Sequence, residues 1–229
     1  MKKMIILNHK MNLEYDDIPS YIDKLNNIDT DNSIVVLPSS IYLESFVNHC
    51  SWGVGVQNIY YESFGDYTGE ISPVQIKSMG VCYSLVGHYE RKKYFGENHD
   101  IIKKKLNACL DSNIIPILCF GECGESMKKT LDDLLEGIDN INFIIFAYEP
   151  LEVSNKETVL QIKEDIDTIY DYLYKKYNVS PNILYGGGVK KENIKDILNI
   201  DKLNGIMLGK LSTNIDNVVN IIKDIDKKK

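Results

Sequence analysis

Three side chains of this sequence could together move protons, because they are a carboxylate, an imidazole and an ammonium. Glu149, His88 and Lys10 each stand at or shortly after the end of a short apolar segment. Proton transfer beside a carbonyl group requires such a set, with the carboxylate as general base and the two nitrogen groups as donors to oxygen. We therefore take the three as candidate catalytic residues.

Each of the three also has an ordinary interpretation when it is considered alone. Lys10 could be a solvated lysine at the point where a strand leaves the core. His88 could cap or pack against the start of a helix, and Glu149 could be half of a structural ion pair. A catalytic site is favoured only if the fold brings all three to one place.

The surroundings of His88 indicate a particular state of its ring. Gly87 allows a tight turn from a strand into a helix, so the amides of that helix would point back at the imidazole. The positive end of a helix dipole disfavours imidazolium, and we expect a neutral ring. Glu90, two residues on, could be an acid of the first turn that stabilises the helix.

Eight short apolar segments recur along the chain, and polar segments with helical spacing lie between them. The apolar segments are continuous rather than alternating, which is typical of strands in a parallel sheet that is covered on both faces. No linker or low-complexity tract divides the chain, so we predict a single domain over residues 1–229. Eight consecutive units predict an α/β fold of the (β/α)8 barrel type, with an open doubly wound sheet as the alternative. The segments are MIILN (4–8), SIVVLP (33–38), GVGVQ (53–57), YSLVG (83–87), IPILCF (115–120), FIIFAY (143–148), NILYGGG (182–188) and GIMLG (205–209).

In such a barrel the functional side chains stand at the carboxyl ends of the strands, which meet at one rim. Pro150 biases Glu149 toward extended geometry, so we expect Glu149 to belong to the sixth strand with its carboxylate at that rim. Asn8 and Lys10 are two residues apart and would face the same way on an extended strand. Other residues expected at the rim are Gln57, Asn58, Gly87, Cys119 to Glu122, Gly186 to Gly188 and Gly209.

Composition restricts the classes of partner. The chain has a net charge of -7 and a sequence pI near 5.2, which disfavours a general affinity for nucleic acid or for acidic membrane surfaces. A small anionic substrate would need cations or amides placed locally. No window of the sequence approaches a membrane span, and the apolar start of the chain is too short for a signal peptide.

The cysteines favour the cytoplasm. There are 5, an odd number, and no two are spaced as C-x-x-C, which fits reduced thiols better than a disulfide framework or a zinc site. Cys119 could be a nucleophile or, with Cys123, part of a metal site, but a thiol at the end of a barrel strand is more often a packing residue. We expect a cytoplasmic protein without a metal site.

Several segments, taken in their order along the chain, match the pattern of a known family. They are NHKMN, VQNIYYESFGDYTGEISP, LVGHYERKKYFGE, ILCFGE, AYEP, ILYGGGV and NGIMLG. On these segments the chain resembles the triosephosphate isomerase family essentially from end to end, and the segments around His88, Glu149 and residues 56–73 are specific to it. The resemblance implies a cofactor-independent aldose–ketose isomerase that interconverts D-glyceraldehyde 3-phosphate and dihydroxyacetone phosphate in glycolysis and gluconeogenesis.

The resemblance implies a role for each matching residue. Glu149 matches the general base that moves a proton between the two carbons of the substrate. His88 matches the electrophile that polarises the carbonyl group and moves a proton between the two oxygens. Lys10 matches the lysine that holds the developing enediolate and the phosphate, Asn8 is the asparagine beside it, and Glu90 is the acid that positions the lysine.

The resemblance also implies a partner. Residues 60–70 look like the loop that this family inserts into a twofold-related subunit, with Thr68 close to the active site of that subunit. We therefore expect a homodimer.

The sequence departs from the family at the end that would bind the substrate phosphate. The segment 150–157, PLEVSNKE, is shorter than the family's usual lid, which begins near P-V-W. Gly188 stands in place of a serine, and Lys210 in place of the second of two glycines. Backbone amides survive at these two positions, so Gly187, Gly188, Gly209 and Lys210 are expected to contact the phosphate.

These departures leave two further functions open. A paralogue could isomerise another short sugar phosphate, for example a tetrulose phosphate. The altered lid and Gly188 are the observations that suggest this alternative. A catalytically silent barrel could serve as a ligand sensor or interaction scaffold, for which the short lid is the only motive.

Overall fold

The computed structural model describes residues 2–150 and 158–226 of the chain. Over these ranges, eight parallel strands follow one another around a closed barrel, and the first strand pairs with the last. The predicted (β/α)8 barrel, or TIM barrel, is therefore confirmed, and the open doubly wound sheet is wrong. The strands are β1 Met4–Asn8, β2 Ser33–Leu37, β3 Gly53–Val56, β4 Tyr83–Val86, β5 Ile115–Phe120, β6 Ile145–Tyr148, β7 Asn182–Tyr185 and β8 Gly205–Leu208.

Helices cover the outside of the barrel and connect the strands. Within the two described ranges, no helix has the length and apolar character needed to cross a membrane. Turns of 3-10 helix lie at Ser40–Tyr42, Ile141–Phe143 and Lys210–Thr213. The α-helices are α1 Asp17–Asn26, α2 Leu43–His49, α3 Pro73–Ser78, α4 Tyr89–Phe95, α5 His99–Asp111, α6 Gly124–Leu135, α7 Val159–Tyr177, α8 Ile194–Leu198 and α9 Ile215–Asp226.

Side chains of alternate strand residues fill the barrel. Because the side chains of a strand point alternately to its two faces, Ile145 and Ala147 of β6 share the interior face, and Glu149 is next in that series. Tyr148 points the other way, into the layer between the barrel and the helices. The interior cluster consists of Ile6, Val35, Leu37, Leu85, Ile117, Cys119, Ile145, Ala147, Leu184 and Met207.

Local sequence signals account for α7, the helix that follows the segment 151–157. Thr158 and Gln161 form a reciprocal capping box at its start, which satisfies backbone amides that have no partner within the helix. Asn178 ends the helix in the left-handed conformation, with φ 55°. The buried face consists of Ile162, Ile166, Ile169 and Leu173 at helical spacing.

Two local predictions differ from the structure. The sixth apolar segment was expected to be a strand from Phe143, but Phe143 lies in a 3-10 turn and is 63% exposed, so β6 begins at Ile145. The strand assignment ends at Tyr148, one residue before Glu149. The backbone amide of Glu149 nevertheless donates to the carbonyl oxygen of Phe120 at 2.8 Å, which continues the ladder between β5 and β6.

Candidate active site

Glu149 extends the interior series of β6 over the rim of the barrel. Its Oε1 lies 3.5 Å from Nε2 of His88, and the side chain is only 17% exposed. Its Oε2 is buried without a hydrogen-bond partner among the residues that the structure describes. A largely buried carboxylate with one oxygen that accepts no hydrogen bond from the described residues is suited to accept a proton from a bound molecule.

The glycines after β7 make room for this carboxylate. A Cβ atom at Gly186 would lie 2.8 Å from Cγ and 3.1 Å from Oε1 of Glu149. A Cβ atom at Gly187 would lie 2.8 Å from Cδ of Pro150 and 2.7 Å from the hydroxyl oxygen of Tyr185. Both contacts are closer than a side chain tolerates. Only glycine therefore fits at these two positions, because Glu149, Pro150 and Tyr185 lie so close to the backbone. The sequence reasoning had linked this run of glycines to phosphate alone.

His88 stands at the N-terminal cap of α4, as the turn after Gly87 predicted. The backbone amide of Glu90 donates to Nδ1 of the ring at 3.3 Å, so Nδ1 carries a lone pair and Nε2 faces Glu149. With a lone pair on Nδ1, the ring carries its hydrogen on Nε2 and presents that N–H group to the site.

The two carboxylates beside His88 shift its pKa in the opposite direction to the helix dipole. Burial alone lowers the pKa of His88, and Lys10 lowers it further. The carboxylate of Glu149, by its charge and its hydrogen bond, and the charge of Glu90 outweigh both, so the pKa of His88 is raised above 6.5. The expectation of a neutral ring considered only the helix dipole, whereas two carboxylates within 3.6 Å also contribute.

Lys10 has a left-handed backbone conformation, with φ 53°, which costs free energy for a residue with a side chain. Three hydrogen bonds hold it there. Its amide donates to Oδ1 of Asn8 at 3.0 Å, and its carbonyl oxygen accepts from Ser39 Oγ and from Gln57 Nε2, both at 2.8 Å. The expectation that Asn8 and Lys10 share one face of an extended strand is therefore wrong in detail, because β1 ends at Asn8.

The ammonium of Lys10 reaches across the rim. Its Nζ lies 2.7 Å from Oε1 of Glu90, and the other carboxylate oxygen of Glu90 lies 3.6 Å from Nδ1 of His88. The structure thus brings four residues into one continuous series of contacts: Lys10, Glu90, His88 and Glu149. Asn8 accepts a hydrogen bond from the backbone amide of Lys10.

The loop after β8 packs against the lysine. A Cβ atom at Gly209 would lie 3.4 Å from Cε of Lys10. The hydroxyl of Ser212, which is fully buried, shares its one hydrogen between the carbonyl oxygens of Asn8 and Gly209, which lie 3.1 and 2.7 Å from Oγ. Lys210 is exposed at the start of the 3-10 turn. Sequence reasoning missed Ser39 and Ser212, because their partners are visible only once the strands are assembled.

Gly188 and Thr68 are two further residues that the sequence predicted for the site. Gly188 has φ 39°, and its carbonyl oxygen accepts from Nδ2 of Asn193 at 3.1 Å. Thr68 is exposed on the loop 60–70 and does not line the cavity of about 360 Å³ that contains Lys10 and His88. The shortened lid, apart from Pro150, falls in 151–157 and lies outside the described residues.

Cys119 is a packing residue rather than a reactive thiol. It belongs to the interior cluster and is 1% exposed. Burial raises its pKa well above the usual value, and the charge of Glu149 adds to this effect. Cys123 is exposed. Over the described ranges, no group of three or more His, Cys, Asp or Glu side chains is placed to hold a metal ion.

Comparison with known proteins agrees with this geometry. The sequence model of the family described as triosephosphate isomerase matches residues 3–225. The chain is 36% identical over 243 residues to the triosephosphate isomerase of Thermodesulfovibrio yellowstonii, covering 97% of this chain and 99% of that protein. It is 32% identical over 237 residues to the triosephosphate isomerase of Ehrlichia chaffeensis, covering 97% of this chain and 96% of that protein. The chain therefore belongs to the triosephosphate isomerase family.

Proposed function

We propose that this protein is a triose-phosphate isomerase, which interconverts D-glyceraldehyde 3-phosphate and dihydroxyacetone phosphate through an enediolate. The observation that carries the proposal is the 3.5 Å approach of the Glu149 carboxylate to the His88 ring, with the Lys10 ammonium held nearby by Glu90. A base, a ring that donates to oxygen and a fixed positive charge are the groups that this reaction requires.

The proposed mechanism assigns one role to each group. Glu149 takes a proton from carbon 1 of dihydroxyacetone phosphate, while His88 donates through Nε2 to the carbonyl oxygen at carbon 2. The electrons of the broken C–H bond form the double bond of the enediolate, whose negative oxygen faces Lys10. His88 then gives its Nε2 proton to the negative oxygen at carbon 2 and takes the proton from the oxygen at carbon 1, while Glu149 returns its proton to carbon 2. Each proton that is taken up is returned, so the enzyme ends as it began.

The same proposal includes binding of the phosphate at the ends of β7 and β8. Backbone amides of Gly187, Gly188 and Gly209 are the groups that would contact it, since none carries a side chain that would block approach. Lys10 and the exposed Lys210 would add positive charge at this end. Asn8 holds the amide of Lys10 and so supports the same end of the site.

We further propose that the protein acts as a cytoplasmic homodimer of single-domain subunits spanning residues 1–229. Residues 60–70 carry exposed apolar side chains, with Phe64 71% exposed and Tyr67 43% exposed. The cavity beside Lys10 and His88 is also lined by Gly69. Contact with a second copy would cover these side chains and bring Thr68 toward the partner site. Sedimentation of the wild type beside Phe64→Glu tests this, since the variant should lose the dimer.

The principal test is steady-state turnover of D-glyceraldehyde 3-phosphate by the wild type and by Glu149→Gln, both purified from a host that lacks its own isomerase. The wild type should approach the diffusional range, about 10⁸ M⁻¹s⁻¹ in kcat/KM, and the variant should lose at least about a thousandfold. Equal rates for the two proteins would refute the assigned base.

Neither alternative from the sequence is favoured by the family match. A substrate panel separates them from the proposal. Faster turnover of a four-carbon ketose phosphate than of the triose would support a paralogue. Binding of sugar phosphates without turnover of any would support a sensor or scaffold.

A further inference from the structure

A hydrogen bond joins the end of β6, the strand that leads into Glu149, to the helix that follows it. The hydroxyl of Tyr148, which is 1% exposed, donates to Oδ2 of Asp165 at 2.7 Å. Tyr148 is the last residue of β6, and Asp165 lies on α7. Hydrogen bonds to a carboxylate are among the stronger ones in proteins, particularly where water is excluded.

The ring of Tyr148 is also fitted between the two neighbouring strands. Its centroid lies 5.6 Å from that of Phe120 on β5 and 6.3 Å from that of Tyr185 on β7. The backbone follows the same pattern, because the amide of Glu149 donates to Phe120 and the amide of Gly186 donates to the carbonyl oxygen of Tyr148, both at 2.8 Å. The end of β6 is therefore held from β5, from β7 and, through Asp165, from the outer helix.

The position of the end of β6 is important because the space for the Glu149 carboxylate is narrow. It lies between His88, 3.5 Å from Oε1, and the backbone of Gly186, where even a Cβ atom would come within 2.8 Å of Cγ. Tyr148 and Glu149 are adjacent and point to opposite faces of the strand, so a shift of the Tyr148 side chain toward the helices moves the backbone from which the carboxylate extends.

We propose that Tyr148 and Asp165 are positioning residues for the reaction proposed above. Their hydrogen bond keeps the end of β6 at a fixed distance from α7, so that the Glu149 carboxylate stays within reach of the substrate carbon. The role rests on the proposed function, and neither residue touches the reacting atoms. Loss of the bond should slow the proton transfer rather than weaken the binding of substrate.

The test compares Tyr148→Phe and Asp165→Ala with the wild type in kcat, KM and Tm. Each variant should lower kcat by about tenfold, because small displacements of a reacting group are costly, and should change KM by less than about twofold. The double variant should be no slower than the slower single variant, since both substitutions remove the same hydrogen bond. Asp165→Asn keeps an oxygen that accepts from the phenol and should recover most of the lost kcat.

Tyr172→Phe is the matched control. Tyr172 also lies on α7, and its hydroxyl also donates to an aspartate, Oδ1 of Asp132 at 2.5 Å, but this contact is made with α6 rather than with β6. Its substitution should lower Tm and leave kcat at the wild-type value. A positioning role predicts different effects on kcat for the two tyrosines, whereas a purely structural role predicts the same effect.

The possible outcomes are distinct. Wild-type kcat in Tyr148→Phe and in Asp165→Ala would overturn the inference while leaving the isomerase in place, and so would an equal loss of kcat in Tyr172→Phe. If Tyr148→Phe does not fold, the pair Asp165→Ala and Asp165→Asn decides, because recovery by asparagine is expected only if the acceptor oxygen matters. Absence of turnover in the wild type would overturn the proposed function itself, and the positioning role with it.

The proton-transfer step can be observed directly. Exchange of the carbon 1 proton of dihydroxyacetone phosphate in D₂O, followed by NMR, reports on the step that Glu149 performs. The exchange rate should fall in Tyr148→Phe by the same factor as kcat. An unchanged exchange rate beside a reduced kcat would contradict the inference, because the defect would then lie in another step.

Discussion

The ammonium of Lys10 lies 2.7 Å from the carboxylate of Glu90, although the two residues are 80 positions apart in the chain. The same carboxylate approaches Nδ1 of His88. Glu90, an acid in the first turn of α4, therefore lies close to both the Lys10 ammonium and the His88 ring. The sequence alone left open whether Glu90 only stabilises its helix, and this contact shows that it also holds the lysine.

We expect Lys10→Met to lower kcat/KM by about 10²- to 10³-fold, because it removes a preorganised positive charge from the place where negative charge develops. Steady-state kinetics with D-glyceraldehyde 3-phosphate measures the loss. Lys24→Met is the control, since Lys24 also pairs with a carboxylate, Asp216 at 2.9 Å, but between outer helices. Similar losses in both variants would argue against a catalytic role for Lys10.

We expect Gly186→Ala to lower kcat by about 10²-fold, because the new methyl group would displace the Glu149 side chain from its position beside His88. The enzyme should remain folded, and circular dichroism with a thermal melt checks this. An alanine variant with wild-type kcat would show that the carboxylate can move aside without loss of function.

Stability should depend on pH through His9, which is 1% exposed and packs edge-on against the rings of Tyr21 and Phe46. Burial lowers the pKa of His9 from 6.5 to about 4. The unfolded chain therefore takes up this proton first as the pH falls, so the stabilisation is complete above pH 6.5 and is progressively lost between pH 6.5 and about 4. The loss should be about 3 kcal/mol over that window.

His9→Phe provides the measurement for this pH dependence. Carboxyl groups titrate in the same range, so the informative quantity is the difference in the free energy of unfolding between wild type and variant at each pH. That difference should shift by about 3 kcal/mol in favour of the variant between pH 6.5 and 4. A constant difference would show that His9 does not titrate as its burial predicts.

Stability should also depend on a buried ion pair beside the site. Glu97 and Lys105, with side chains 3% and 4% exposed, contact each other, and Nε of Arg91 lies 2.7 Å from the same carboxylate oxygen. Glu97→Gln should destabilise the protein by about 3 to 5 kcal/mol, because it leaves a buried ammonium without its countercharge. Chemical denaturation measures the change.

Glu136→Gln is the control for that prediction. Glu136 also pairs with a lysine, Lys103 at 4.0 Å, but its side chain is 86% exposed. Exposed pairs contribute little, so this variant should stay within about 0.5 kcal/mol of the wild type. Comparable losses in both variants would mean that burial is not what makes the Glu97 pair important.

Much of this molecule could be predicted from the sequence. Continuous apolar segments indicated eight parallel strands, since periodicity is a local property that neighbouring residues determine. The barrel and its rim then followed, because the carboxyl ends of parallel strands meet at one edge. The resemblance to the family supplied the roles of Glu149, His88 and Lys10, and Glu149 does stand at the rim, one residue beyond the end of its strand.

The tertiary structure alone decided how these groups are held. The left-handed conformation of Lys10 depends on hydrogen bonds from Ser39 and Gln57, which follow the ends of other strands. The hydroxyl of Tyr148 donates to Asp165 across the layer between the barrel and the helices. Local patterns cannot reveal such contacts, because a hydrogen bond between distant residues exists only after the chain has closed on itself. The space for the Glu149 carboxylate beside Gly186 is decided in the same way, by the distance between two neighbouring strand ends.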